Sequence, residues 1–413
     1  MEPFFFFAAN IFLENPPIFS RIKTVYKYKN MVGGCFMTKK IIAIFLVIYL
    51  FIAISCISAK AADNALSINA KAFVLMDPIS GRILLEKNSQ EKMAMASTTK
   101  IMTAIVALEK GDLQSQIRVS PRAASIGGSS FYLKPGDVLT LEDMLFGLLL
   151  PSGNDAAVAI AEHIAGTEDK FVQMMNQKAL ELGALNTHFT NPHGLDDPEH
   201  YTTAVDLAVI SRYALKNIKF REIVQTKTKE IKYGDIDKQI FNTNRLLWEF
   251  EGADGIKTGY TGKAGRCLVA TAKNNGFHLL SVVLGSQNHF EDSKKLLNYG
   301  FENYKLKNII SKNNYLTTVN VENGVIKTVD LIAKDSITLP IEESENIKFK
   351  LIVPKKIKAP VFKGEEVGQV QVYIDDDLVT STSLITAKDV PLKTYNYILN
   401  RILRFWTRWE KTD

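Results

Sequence analysis

What most limits the fold of this chain is where its β-rich runs fall. RCLVATAK and FHLLSVVLG, joined by Asn274-Asn275-Gly276, read as two strands and a tight turn. Asn-Gly tolerates the left-handed backbone that a hairpin turn needs. Far upstream, KAFVLMDPISGRILLEKN carries two more such runs around Asp77-Pro78-Ile79-Ser80-Gly81. Between the two hairpins, apolar residues recur at helical spacing, as in Ile101, Ala104, Ile105 and Leu108. Strands at both ends with helices between predict an α+β domain, its terminal strands sharing one sheet.

The helices place three polar groups with some precision. AMASTTKIMTAIVALEKGD predicts a helix stopped by Gly111, with Ser97 and Lys100 at its head. Three residues are nearly one turn, so the two side chains share a face. LTLEDMLFGLLL opens on a capping box, Thr140 to Asp143, and runs to Leu150. Pro151 breaks it, and the pattern resumes from about Asp155 to Ala165. Ser152-Gly153-Asn154 therefore falls in a tight joint between two buried helices. Further helical pattern covers 168–182 and 203–215, and SKKLLNYGFENY closes the domain.

From about Leu306 the texture turns to short alternating strands, which predicts a small all-β sandwich over 306–390 after a first domain over 62–305. Residues 391–413 are different again. Tyr395, Ile398, Leu399, Ile402, Trp406 and Trp409 share one helical face, and Lys393, Asn400, Arg401, Arg404, Arg408 and Lys411 cover most of the rest. An amphipathic helix too short and too charged to span a bilayer suits the plane of a membrane surface. The competing use of that face is docking on the β domain or on a partner.

The formal charge of +6 over 413 residues does not indicate nucleic acid, because of where it sits. Residues 1–61 hold seven basic and two acidic residues, a net of +5, which leaves +1 for the rest. Within them Lys39-Lys40, the apolar run from Ile41 to Ile54, and Ala59-Lys60-Ala61 follow the three-part plan of a secretory signal peptide over 37–61. An uncleaved anchor is the alternative. Met37 is the expected start, making 1–36 an upstream extension. After processing, Cys267 alone of Cys35, Cys56 and Cys267 remains, so no intramolecular disulfide can form, and its apolar strand makes it a small buried hydrophobe.

Taken singly, Ser-x-x-Lys and Ser-x-Asn are cheap, and both recur elsewhere; Lys257-Thr258-Gly259 occurs once. Context carries the weight: SxxK at a helix start, SxN at a helix joint, KTG on a strand, in that order. A serine hydroxyl is a weak nucleophile and needs a base. No histidine lies near STTK, which leaves Lys100, an amine useful only if burial and a second cation such as Lys257 push its pKa down.

With these motifs, and with PSGNDAA, HFTNPHGLDDPEHYTTAVDLA, ADGIKTGYTGKAG and APVFKGEEVGQVQVY, the chain resembles the active-site serine penicillin-recognising family. More narrowly, it is similar to the low-molecular-mass D-alanyl-D-alanine carboxypeptidases of peptidase family S11, the penicillin-binding protein 5-like group. The resemblance implies a helix-flanked antiparallel sheet of the β-lactamase/transpeptidase-like fold, a following small β domain and an amphipathic membrane helix. It implies peptidoglycan stem peptides as substrate, acylation by β-lactam antibiotics, and a site on the outer face of the cytoplasmic membrane. Ser97 would be the nucleophile, Lys100 its base, and Ser152 a proton relay bridging Lys100 and Lys257. Asn154 would clamp Lys100 and the substrate amide. Lys257 and Thr258 would hold the terminal carboxylate, Gly259 would let substrate lie against the strand, and the N–H of Tyr260 would complete an oxyanion hole. Where many relatives carry a carboxylate-binding arginine, this chain has His289. No cofactor is implied, and the six histidines do not group with acids or Cys267 at metal-ligand spacing, so no metal site is expected.

Three rivals share parts of this pattern. A class A β-lactamase needs a deacylating glutamate in E-x-x-L-N, and the nearest match, Glu181 to Asn186, is one residue too long. A murein endopeptidase of this fold usually lacks the β domain. A penicillin-binding sensor would be acylated without turning over, although every catalytic position here is filled.

Overall fold

A computed structural model describes residues 66–409. The upstream extension, the signal peptide and Met37 lie outside the described residues, as do the side chains of Trp406 and Trp409 and the tail 410–413.

The central sheet has five antiparallel strands: β1 (Ala72–Met76), β2 (Ile83–Lys87), β3 (Ala253–Thr261), β4 (Gly265–Asn274) and β5 (Phe277–Ser286). Their order is β2-β1-β5-β4-β3, so the first and last hairpins meet through β1 and β5, with Val74 opposite Val282. All five residues of β1 are buried, as expected of a strand covered on both faces. β3, which carries Lys257-Thr258-Gly259, is an edge strand, so its outer side is open to a ligand.

Helices α1 (Lys100–Lys110), α2 (Leu141–Leu149), α3 (Asn154–Ala165), α4 (Glu168–Glu181) and α5 (Ala204–Ala214) fill the span between the hairpins. Thr140 caps α2, its hydroxyl accepting from Asp143 N. One expectation shifts by a turn: Ser97 lies in a 3₁₀ turn, Ala96–Thr99, and the α-helix begins at Lys100. The cause is Ala96, whose φ of 50° puts it in the left-handed region and delays regular helix. The closing helix α6 (His289–Asn303) starts earlier than SKKLLNYGFENY, because Asn288 caps it by accepting from Glu291 N. A short hairpin, Thr228–Tyr233 with Ile236–Phe241, has no counterpart in the sequence reading.

The chain then forms β6 (Tyr304–Ile310), β7 (Tyr315–Glu322), β8 (Thr328–Ala333), β9 (Ile337–Glu342), β10 (Ile347–Ile352), β11 (Lys356–Lys358), β12 (Glu366–Ile374) and β13 (Asp377–Thr386). β6 pairs with β9, and the rest make a six-stranded sheet, β10-β12-β13-β8-β7-β11. Both sheets contribute to one apolar cluster that includes Ile310, Leu331, Leu339, Val372 and Leu384. Arg82, from the turn end of the first hairpin, pairs with Glu345 and donates to the Pro340 carbonyl. A terminal helix, α7 (Tyr395–Trp409), leaves Ile398, Leu399, Ile402 and Leu403 exposed. Among the described residues no helix is long and apolar enough to cross a membrane.

Candidate active site

Lys100 is the most deeply placed charge-bearing side chain of the site, with 0% of its surface exposed. It opens α1, so its side chain runs back toward the turn that carries Ser97. Its Nζ lies 3.0 Å from Ser97 Oγ, 2.6 Å from Asn154 Oδ1 and 2.7 Å from the His193 carbonyl oxygen. Two of these partners can only accept. The His193 oxygen is a carbonyl, and Asn154 is oriented by its amide Nδ2, which donates to the Gly127 carbonyl at 2.7 Å, so Oδ1 faces the lysine. A neutral amine has two N–H groups and one lone pair. Both N–H groups are spent on those oxygens, and the lone pair is left for the Ser97 hydroxyl.

The electrostatics favour that neutral form. Burial, then the nearby Lys257, lower the Lys100 pKa well below the usual amine range, and Asp155 opposes them. Lys257, on the edge strand β3, is itself 1% exposed, and burial pushes it down to about 7. Its Nζ donates to the Thr258 carbonyl at 3.0 Å.

The joint between α2 and α3 carries the strain. Ser152 has φ of 69°, a left-handed conformation costly for a residue with a Cβ, and it is 5% exposed. Its buried Oγ has no hydrogen-bond partner, so the bridge to Lys100 and Lys257 expected from the sequence is not formed. A buried hydroxyl left unpaired costs about 1–3 kcal/mol, which marks a position kept for something other than stability. Asp155, next to the joint, accepts from the amides of Phe131 and Leu133 and from Ser130 Oγ, tying the loop over 127–133 beside Asn154.

Gly259 passes so close to the nucleophile that a Cβ there would sit 3.0 Å from Ser97 N, tighter than a side chain tolerates without displacing main chain. Beside it, Thr258 Oγ1 is 2.7 Å from Thr243 Oγ1, which also donates to the Leu150 carbonyl at 3.2 Å. Thr243 thus joins strand β3 to the end of α2, and no pattern in NTNRLLW singles it out. Tyr260, next along β3, is 66% exposed.

His289 departs from its expected part. It is 7% exposed at the first position of α6, stacked 4.1 Å from the Phe290 ring, with Nδ1 unpaired. Burial and the cations of Arg266 and Arg245 hold its pKa at about 4, so near neutral pH it brings no charge to a carboxylate. Cys267 is buried and inert, its thiol pushed up to about 11 by burial. Among the described residues no group of His, Cys, Asp or Glu could hold a metal ion.

A serine within reach of a buried amine, an orphan hydroxyl at a strained joint and a cationic edge strand form a constellation for acyl transfer. Residues 58–288 match the family described as D-alanyl-D-alanine carboxypeptidase, and 304–392 match the C-terminal domain of penicillin-binding protein 5. The chain is 35% identical over 360 residues to D-alanyl-D-alanine carboxypeptidase DacF of Bacillus subtilis, covering 84% of this chain and 92% of that protein. It is 33% identical to DacC of Escherichia coli, over 88% of this chain and 95% of the relative. Penicillin-binding protein 5 of Haemophilus influenzae superposes with a TM-score of 0.69 at 32% identity, over 79% of this chain and 98% of that one. With its fold, its motif order and these likenesses, the chain belongs to the S11 family of serine D-alanyl-D-alanine carboxypeptidases.

Proposed function

We propose that Ser97 is the acylated residue of a D-Ala-D-Ala carboxypeptidase that trims peptidoglycan pentapeptide stems. The observation that carries this is the Lys100 amine, sealed from water, its N–H groups held by two carbonyl oxygens and its remaining direction aimed at Ser97 Oγ. Lys257 and Thr258 receive the free carboxylate of the terminal D-alanine, and the backbone at Gly259 lets the peptide lie along the β3 edge. Ser97 Oγ attacks the penultimate carbonyl carbon and its proton passes to Lys100 Nζ. The oxyanion forms against the N–H groups of Ser97 and Tyr260. As the C–N bond breaks, the leaving amine takes a proton from Lys100 through the unpaired Ser152 hydroxyl, and D-alanine departs. Water then cleaves the Ser97 ester, returning the serine. Penicillin acylates the same oxygen.

Residues 37–61 act in this reading as the export signal, and α7 lies on the outer surface of the cytoplasmic membrane. The exposed Ile398, Leu399, Ile402 and Leu403, with basic residues around them, support that placement.

The test is release of D-alanine from diacetyl-Lys-D-Ala-D-Ala by the purified protein. We expect release from the wild type and none from Ser97→Ala; undiminished release in that variant refutes the nucleophile. Penicillin labelling without any release would favour the sensor instead. Deleting 391–413 should free the protein from membranes, and persistence there would favour an uncleaved signal.

A further inference from the structure

The mechanism leaves the buried, titratable side chain of His200, in contact with the Ser97 turn, unused. His200 is 3% exposed, and its ring bridges two segments far apart in sequence. Its Nδ1 lies 3.0 Å from the Thr190 amide nitrogen, and its Nε2 lies 2.7 Å from Thr99 Oγ1. These contacts decide the tautomer. A main-chain N–H can only donate, so Nδ1 carries no proton and accepts. The proton of the neutral ring is then on Nε2, which donates to Thr99 Oγ1. The hydroxyl in turn donates to the Ala96 carbonyl at 2.8 Å, an acceptor only. Every donor and acceptor in the chain Thr190 N–H, His200, Thr99, Ala96 C=O is thereby assigned.

The chain ends on the strained residue of the turn. Ala96 holds φ of 50° immediately before Ser97, a conformation that persists only where neighbours enforce it. The segment that bears His200 presses on the same turn elsewhere: a Cβ on Gly194 would fall 2.0 Å from the Ala96 oxygen. It also supplies the His193 carbonyl that holds Lys100. One loop, 188–200, thus holds the base by its main chain and the nucleophile's turn by a side chain.

We propose that His200 is a positioning residue for the acylation step: its Nε2–H, through the Thr99 hydroxyl, locks the left-handed Ala96 and so aims Ser97 Oγ at the substrate carbonyl and at Lys100. This rests on the reading of Ser97 as nucleophile. His200 touches neither substrate nor the reacting atoms. Its removal therefore slows bond formation and leaves carboxylate binding by Lys257 and Thr258 alone.

The experiment compares His200→Leu, His200→Gln and Thr99→Val with the wild type, reading the penicillin acylation rate, kcat and KM for diacetyl-Lys-D-Ala-D-Ala, and Tm. Leucine fills the space without polar atoms, whereas glutamine keeps one donor and one acceptor. We expect His200→Leu and Thr99→Val each to slow acylation and kcat roughly 10- to 100-fold, the scale of a misaimed reacting group. KM should stay within about twofold, and His200→Gln should recover most of the rate. Acylation at the wild-type rate in folded His200→Leu or Thr99→Val overturns the proposal. So does a slow His200→Gln, which would assign the effect to ring packing, or a rise in KM matching the fall in kcat. Should His200→Leu fail to fold, Thr99→Val decides by itself. Full acylation of Ser97→Ala would instead remove the reading beneath, a result the His200 variants do not mimic.

Discussion

The two halves of the molecule bury very different things. Among the described residues of the β domain the core is Val, Ile, Leu and Ala, with Thr382 and Thr386 the buried polar side chains, and both accept a main-chain N–H. The helix-and-sheet half buries Lys100, Lys257, Asp155 and Asp292, and leaves Ser152, Ser211, Asn244, His289 and Ser293 with unpaired buried atoms. Left-handed non-glycine residues next to or within its motifs, Ala96 and Ser152, add strain. A core made for stability avoids such features, because each costs on the order of 1–3 kcal/mol. The lesson is a division of labour: the half that performs chemistry carries unpaired buried groups and strain beside its motifs that its sheet and helices must offset. Among the described residues the β domain has no such unpaired buried side-chain atom, and its left-handed non-glycine residues, Asn313, Asn323, Asp375 and Asp376, are types that tolerate that backbone in turns.

Four outcomes would sharpen or break that contrast. The largest is Ser97→Ala, which should lower penicillin acylation and D-alanine release by about 10³-fold or more while moving Tm by no more than about 1 °C; a cooperative loss of fold instead would mean Ser97 is structural.

Next is Lys257→Met, expected to cost about 10²-fold in kcat/KM and to raise Tm by several degrees, since a desolvated amine gives way to an apolar chain. The sign with pH follows from its depressed pKa. From about 7 up to the ordinary lysine value of 10.5, the unfolded chain holds a proton that the folded protein has lost. Wild-type stability therefore rises with pH across that window and is flat for this group below it. Activity on the anionic peptide should fall over the same rise, as the ammonium that attracts the carboxylate disappears. Denaturant titrations at pH 6 to 10 on both proteins check this, and parallel slopes would remove Lys257 as the cause.

Leu331→Ala comes third. Its side chain is fully buried in the β domain, so truncation should cost about 2–5 kcal/mol of that domain's stability with kcat and KM on soluble peptide unchanged. An equal loss of activity would show that the halves are energetically one. The smallest effect belongs to Lys334→Ala, which breaks a half-exposed pair with Glu366. Chemical denaturation should show no resolvable shift of the midpoint, because an exposed pair is screened by water and salt.

Much of the fold was legible from pattern alone. The capping threonine at 140, the break at Pro151 and the two hairpins act through local backbone preferences, and these depend little on what packs around them. Ser97, Lys100, Ser152 and Asn154 were legible as candidates because each sits at an element boundary, where side chains are held yet reachable, and Lys257-Thr258-Gly259 because it occurs once, on a strand. The contributions of His193, His200 and Thr243 were not. His193 works through its carbonyl oxygen, which every residue possesses. His200 and Thr243 are ordinary residue types whose partners lie 101 and 15 positions away. The charge state of His289 was equally hidden, since it depends on the burial and the two arginines that packing supplies.

By itself, then, the order of residues determined which elements form, in what sequence, and which side chains stand at their ends. Whether Lys100 is a buried amine or a surface cation was decided by tertiary structure. Water is excluded from an amine only when helices, a strand and a loop close around it, and that enclosure is a property of the assembled chain.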